Sequence, residues 1–156
     1  MFWARIDNRL VHGQVIESWI PFTGAKILVV ANDELANDIL QQEIMSLAIP
    51  QDVEPHFVAV ENLSSFVSER KSDLDDLDIL VLFASCQDAK RAFDRGLTFH
   101  RLNVGNLHYG PGKKQLCAHV AVSAEDESCL HFFSLRGVVL DFRCIPTVPI
   151  QVRPTW

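Results

Sequence analysis

The run Lys26-Ile27-Leu28-Val29-Val30-Ala31, closed by Asn32, decides the fold class. It is apolar without alternation, the pattern of a strand covered on both faces, and Asn32 is a ready N-cap for a helix behind it. Asp78 to Phe83 repeats the pattern more strongly than any other segment. Outward from these two runs the same rhythm fills the chain. Phe2 to Ile6 and His56 to Val60 read as further strands, and Gln14 to Ile20 as a helix stopped by Pro21. Leu35, Ile39, Ile44 and Leu47 recur at helical spacing as far as Pro50, and Leu63 to Arg70 is a short helix. Ser85 caps a helix over Asp88 to Arg95, which Gly96 closes. Arg101 to Val104, Cys117 to Val122 and Val138 to Cys144 are strands, and Gly105 to Lys114 is a loop. Ala124 to Ser134 is a helix, and the tail from Pro146 to Pro154 is extended. Strands alternating with helices imply βαβ crossovers. The expectation is an α/β fold: one domain over residues 1–156, with an open, twisted, mostly parallel sheet and helices on both faces.

Composition narrows the function. At 156 residues and 48% hydrophobic, the chain can bury a full core, which excludes a disordered protein. Twenty carboxylates against 14 Lys and Arg leave a net charge of −6, and argue against nucleic acid as a partner. No apolar run approaches the ~20 residues of a spanning helix, and Met1 to Arg5 does not begin a signal peptide. Cys86, Cys117, Cys129 and Cys144 show no CxxC and no histidine cluster at ligand spacing. That predicts reduced thiols in a cytosolic protein and no metal or other cofactor. Neither GxGxxG after the first strand nor GxxxxGK[ST] is present, which weighs against a nucleotide-binding module. A hydrolase lacks its nucleophile elbow.

Chemistry concentrates in the first loop, Asp7-Asn8-Arg9-Leu10-Val11-His12-Gly13-Gln14. In open α/β sheets, ligands gather beyond the carboxyl ends of strands, and this loop lies after the first strand and before a helix. A neutral imidazole can take a phosphoryl group, so His12 is the candidate nucleophile. The amides of Gly13, Gln14 and Val15 at the helix opening can receive the resulting anion. Arg9 can clamp the equatorial oxygens in the transition state. Asp7 can orient Arg9, or bond the ring nitrogen of His12 that does not react. Gly13 leaves the approach of a partner clear of side chains. Ser85, at a strand's carboxyl end, can donate to the phosphate as well as cap its helix. Lys113 and Lys114 suit an acidic partner surface or a solvated turn.

The residues Ala4 to Val15, with Trp19 one turn later, resemble the signature of the mannose/fructose/sorbose-family IIB component of the bacterial phosphoenolpyruvate-dependent sugar phosphotransferase system. Asn103 to Gln115 is similar to that family's second loop. Val138 to Arg143, followed by Pro146-Thr147, is similar to its closing strand. The resemblance implies a cytoplasmic phosphocarrier, peripherally associated with a membrane permease. It would accept a phosphoryl group from a phosphohistidine of a IIA protein and pass it to a sugar bound by the IIC and IID components. By the same resemblance the phospho-accepting histidine falls on His12, with linkage at Nδ1, and the assisting arginine on Arg9. Since the chain begins at the IIB motif, IIA is expected to be a separate protein. The alternative is a regulatory phosphocarrier with the same chemistry but no sugar transport.

Overall fold

The computed structural model describes residues 1–70 and 78–149, and in it the two apolar runs lie side by side inside a sheet. Strands β1 (Phe2–Asp7), β2 (Ile27–Ala31), β3 (Glu54–Val58), β4 (Ile79–Phe83), β5 (Arg101–Asn106) and β8 (Val139–Asp141) form six parallel members in the order β3-β2-β4-β1-β5-β8. Every residue of β2 and β4 is buried, as continuous apolar strands require.

Right-handed crossovers explain which face each helix covers. From β1 to β2 and from β2 to β3 the chain steps one way along the sheet. The connecting segments are a π-helical turn (Val15–Trp19), α1 (Ile20–Thr23), α2 (Asp33–Ala36) and α3 (Ile39–Ser46). On that face Trp19, Ile20, Ile49 and Val53 pack on Leu28, Val30, Leu80 and Leu82. From β3 onward the chain steps the other way, through α4 (Leu63–Glu69), α5 (Cys86–Asp94) and α6 (Ala124–Leu135). Leu63, Ala89, Ala92, Leu130 and Phe133 close the opposite face over Ile6, Val29, Val81 and Phe83. The connections leaving β1 and its neighbour β5 lead in opposite directions, so the crevice of the switch point opens between their carboxyl ends.

Several elements differ from the sequence expectation, each for a local reason. The helix after Gly13 does not stop at Pro21. The amide of Ile20 bonds the carbonyl of Val15, a π-type step, and the helix runs on until Gly24 ends it at φ +66°. The long helix before Pro50 is two short ones, because Asp38 accepts from the amide of Gln41 and restarts the helix after Asn37. The expected strand Cys117 to Val122 is instead an antiparallel hairpin, β6 (Lys114–Cys117) with β7 (Val120–Val122). β5 continues to Asn106 rather than ending at Val104, and β8 ends at Asp141 rather than Cys144. In the tail, residues from 150 onward lie outside those described. All four cysteines are unpaired.

Candidate functional site

Strand periodicity puts Arg5 and Asp7 on one face of β1, and both are sealed from solvent. A buried guanidinium needs acceptors, and those of Arg5 all meet its two terminal nitrogens; its Nε has none among the described residues. Arg5 donates to Asp7 Oδ2 at 2.9 Å, to Asn103 Oδ1, and to the carbonyls of Arg143 at 3.5 Å and Cys144 at 3.2 Å. Its guanidinium carbon stands 4.7 Å from the ring centroid of Trp19, whose Nε1 also donates to Cys144 O. The room comes from Gly105. A Cβ there would lie 2.1 Å from Arg5 Cζ, so the strand beside Arg5 must carry no side chain at that position. Register agrees: Ile6 pairs with Val104 but Asp7 pairs with Asn106, so Gly105 is the bulged residue.

Asp7 is the hub. Its Oδ2 accepts from Arg5, from Asn106 Nδ2 at 2.8 Å and from His12 Nε2 at 2.7 Å; its Oδ1 accepts from the Arg9 amide at 3.1 Å. Burial pushes this carboxyl up, but the hydrogen bond from His12, the charge of Arg5 and the bonds from Asn106 and Arg9 together hold it below its usual range. An ionised carboxylate only accepts, so Nε2 of His12 carries the proton that Asp7 receives. In the neutral ring the lone pair then sits on Nδ1, which has no hydrogen-bond partner among the described residues. The His12 side chain is 14% exposed, and Asp7 not at all.

The loop between them is held tightly. Asp7 O accepts from the Leu10 amide, and Leu10, buried on the α1 side, takes φ +56°, a left-handed conformation that costs a branched side chain energy. His12 then sits at the head of the helical segment, its carbonyl accepting the amide of Ile16. The amides of Gly13, Gln14 and Val15 show no acceptor among the described residues, as expected for a first helical turn. Arg9 is exposed. Its Nη2 donates to Gln14 Oε1 at 3.1 Å, and its Nε lies 3.9 Å from Asp7 Oδ1. Arg9 and Gln14, together with Asn106, His108, Tyr109 and His119, line an open groove of about 510 Å³ at the switch point.

Asp7, Arg9, His12, Gly13 and Gln14 therefore meet in one place. Ser85 Oγ accepts from the Asp88 amide at 3.1 Å as N-cap of α5, and its hydrogen bonds among the described residues include none of the others. Lys113 folds back onto the carbonyl of His108, and Lys114 lies 3.8 Å from Glu127. Among the described residues no group of three or more His, Cys, Asp or Glu is placed to hold a metal, and no helix is long and apolar enough to cross a membrane. Sequence reasoning missed the roles of Arg5, Asn103, Asn106 and Cys144. The two-residue spacing of Arg5 and Asp7 on a strand was the available signal for the first. Asn103, Asn106 and Cys144 come from strands and loops 98 to 139 residues away, and no local spacing points to their roles.

Known proteins resemble the chain over nearly all of its length. The family model of the sorbose-subfamily IIB component of the phosphotransferase system matches residues 1–151. The N-acetylgalactosamine-specific phosphotransferase enzyme IIB component 2 of Escherichia coli (strain K12) is 33% identical over 146 residues, which cover 94% of this chain and 91% of that protein. The sorbose-specific EIIB component of Klebsiella pneumoniae is 29% identical, with coverage of 94% and 88%. The crystal structure of N-acetylgalactosamine-specific IIB component 1 from Escherichia coli aligns with a TM-score of 0.90 at 31% identity, over 99% of this chain and 100% of that one. The chain belongs to the sorbose-subfamily IIB components of the phosphotransferase system, a family that carries out sugar phosphotransfer.

Proposed function

We propose that the protein is a cytoplasmic phosphocarrier whose His12 takes a phosphoryl group at Nδ1 from a phosphohistidine of a IIA protein. It then hands the group to a sugar held by the membrane IIC and IID components. One observation carries this reading: Asp7 Oδ2 lies 2.7 Å from His12 Nε2, and so leaves Nδ1 as the bare nitrogen of a partly exposed ring. In the first step the Nδ1 lone pair forms a P–N bond while the donor's P–N bond breaks, and that electron pair returns to the donor's ring. Asp7 accepts the Nε2–H throughout, which steadies the positive charge the ring gains. In the second step a sugar hydroxyl oxygen forms the P–O bond as the Nδ1–P bond breaks; Nδ1 recovers its pair, and the hydroxyl proton passes to water.

Each remaining residue of the site has a part in this proposal. Arg9 meets the phosphoryl oxygens with a planar, two-pronged donor. The amides of Gly13 and Gln14 add donors at the positive end of the helix, and the Ser85 O–H is a further one once its lone pair has capped α5. The whole of residues 1–156 serves as one IIB domain, peripheral to the permease.

The test is phosphorylation with phosphoenolpyruvate, the general phosphotransferase proteins and a IIA protein, followed by mass-spectrometric mapping. The chain is expected to gain one acid-labile, alkali-stable phosphate on His12, and His12→Ala to gain none. Label retained in His12→Ala removes the assignment. Arg9→Lys is expected to slow transfer by about tenfold or more, because lysine cannot make the paired contact. A rate equal to the original would discard the clamp.

A further inference from the structure

Gln14 and Asn106 sit where the two halves of the site join. Asn106, buried at the end of β5, uses both hydrogens of its Nδ2: one to Asp7 Oδ2 at 2.8 Å, the other to Gln14 Oε1 at 3.2 Å. Gln14 Oε1 is a meeting point for three donors: that amide, Arg9 Nη2 at 3.1 Å and the Cys144 thiol at 3.3 Å. Three donors on one atom fix which end of the carboxamide is oxygen. Without Gln14, the guanidinium of Arg9 keeps only the 3.9 Å approach of its Nε to Asp7, on a side chain that is 41% exposed.

We infer that Asn106 and Gln14 are positioning residues: a carboxamide bridge that ties the guanidinium of Arg9 to the Asp7–His12 pair. The inference rests on the phosphocarrier reading and deepens it. Asn106 sets the distance between the carboxylate that orients the imidazole and the oxygen that holds the arginine. The bridge thus sets where the phosphoryl group's two partners stand relative to each other. Its two residues lie 92 positions apart in the chain, so the switch-point crevice is itself what assembles it. A side chain as long as Arg9 has many rotamers in water, and immobilising it before the phosphoryl group arrives removes that cost from the transfer step.

The test is a double-mutant cycle on the rate of His12 phosphorylation, using Gln14→Met, Arg9→Ala and both together. Methionine keeps length and loses the acceptor. Gln14→Met is expected to lower the maximal rate by about tenfold, the worth of one hydrogen bond to a charged group, with half-saturation for the IIA donor unchanged. In the Arg9→Ala background it is expected to do nothing further. Nuclear magnetic relaxation of the Arg9 Nε–H supplies a second readout: its order should fall in Gln14→Met, while Asn106→Ala lowers it to a similar degree. Multiplicative losses in the cycle, or an unchanged Arg9 order, overturn the bridge and leave the phosphocarrier reading intact. No label on the original chain overturns both.

Discussion

Replacing Gly105 by alanine drives a methyl group into the buried guanidinium of Arg5. The new Cβ would stand 2.1 Å from Cζ and 2.2 Å from each terminal nitrogen, so the group must retreat by about 1.3 Å to reach ordinary contact. It has no slack in which to do so. Asp7, Asn103 and two carbonyls of the segment after β8 hold it, and Trp19 covers its face. Overpacking of this kind costs about 1–3 kcal/mol, and the loss of one hydrogen bond to a charged group adds about 1.5–3. A total of about 2.5–6 kcal/mol is a large share of the 5–15 that a domain of this kind possesses. In a chain of 156 residues that corresponds to a fall in melting temperature of roughly 5–24 °C. Thermal unfolding followed by circular dichroism measures it. Gly110→Ala is the control, because its nearest neighbour is Lys113 Cδ at 3.9 Å. A Gly105→Ala protein melting within about 2 °C of the original would show that Arg5 can move freely, and the account of the bulge would fail.

Further outcomes follow from the same site. Asp7 is held below its usual range in the folded protein, so between the folded and unfolded values the unfolded chain binds more protons. Its contribution is therefore complete above the ordinary carboxylate range and is lost as pH falls through the folded value. Asp7→Asn should cost about 3–5 kcal/mol at neutral pH, by stranding the charge of Arg5, and should flatten the acid limb of the stability curve. Acid-unfolding profiles that run parallel for the two proteins would contradict this. At Gly13 an added Cβ meets nothing within 4 Å and φ is not positive, so folding does not demand glycine there. Gly13→Ala should melt at the original temperature or be stabilised by about 0.4–1 kcal/mol, yet accept phosphate from IIA more slowly, since the methyl obstructs the donor's approach. An unchanged transfer rate would remove that role from Gly13.

The alternation of apolar runs with capped helices was enough to read the parallel sheet, and Asn32 and Ser85 cap the helices assigned to them. These are local matters, in which one or two neighbouring residues satisfy a backbone amide. The loop from Asp7 to Gln14 was legible for the same reason, because its acid, guanidinium and imidazole lie within six residues of chain. Pro21 misled because a π-type step, a property of the folded helix, let the chain continue past it.

By itself, then, the sequence determined which segments supply the parallel sheet, that its central strands are covered on both sides, and that chemistry clusters after the first of them. Tertiary structure alone decided which nitrogen of His12 is bare and what holds Arg9 in place. It also decided why Gly105 carries no side chain. Those properties depend on Asn103, Asn106, Arg143 and Cys144 arriving from strands and loops 98 to 139 residues distant. Only strand order and the one-residue bulge between β1 and β5 set those distances, and no local spacing encodes them.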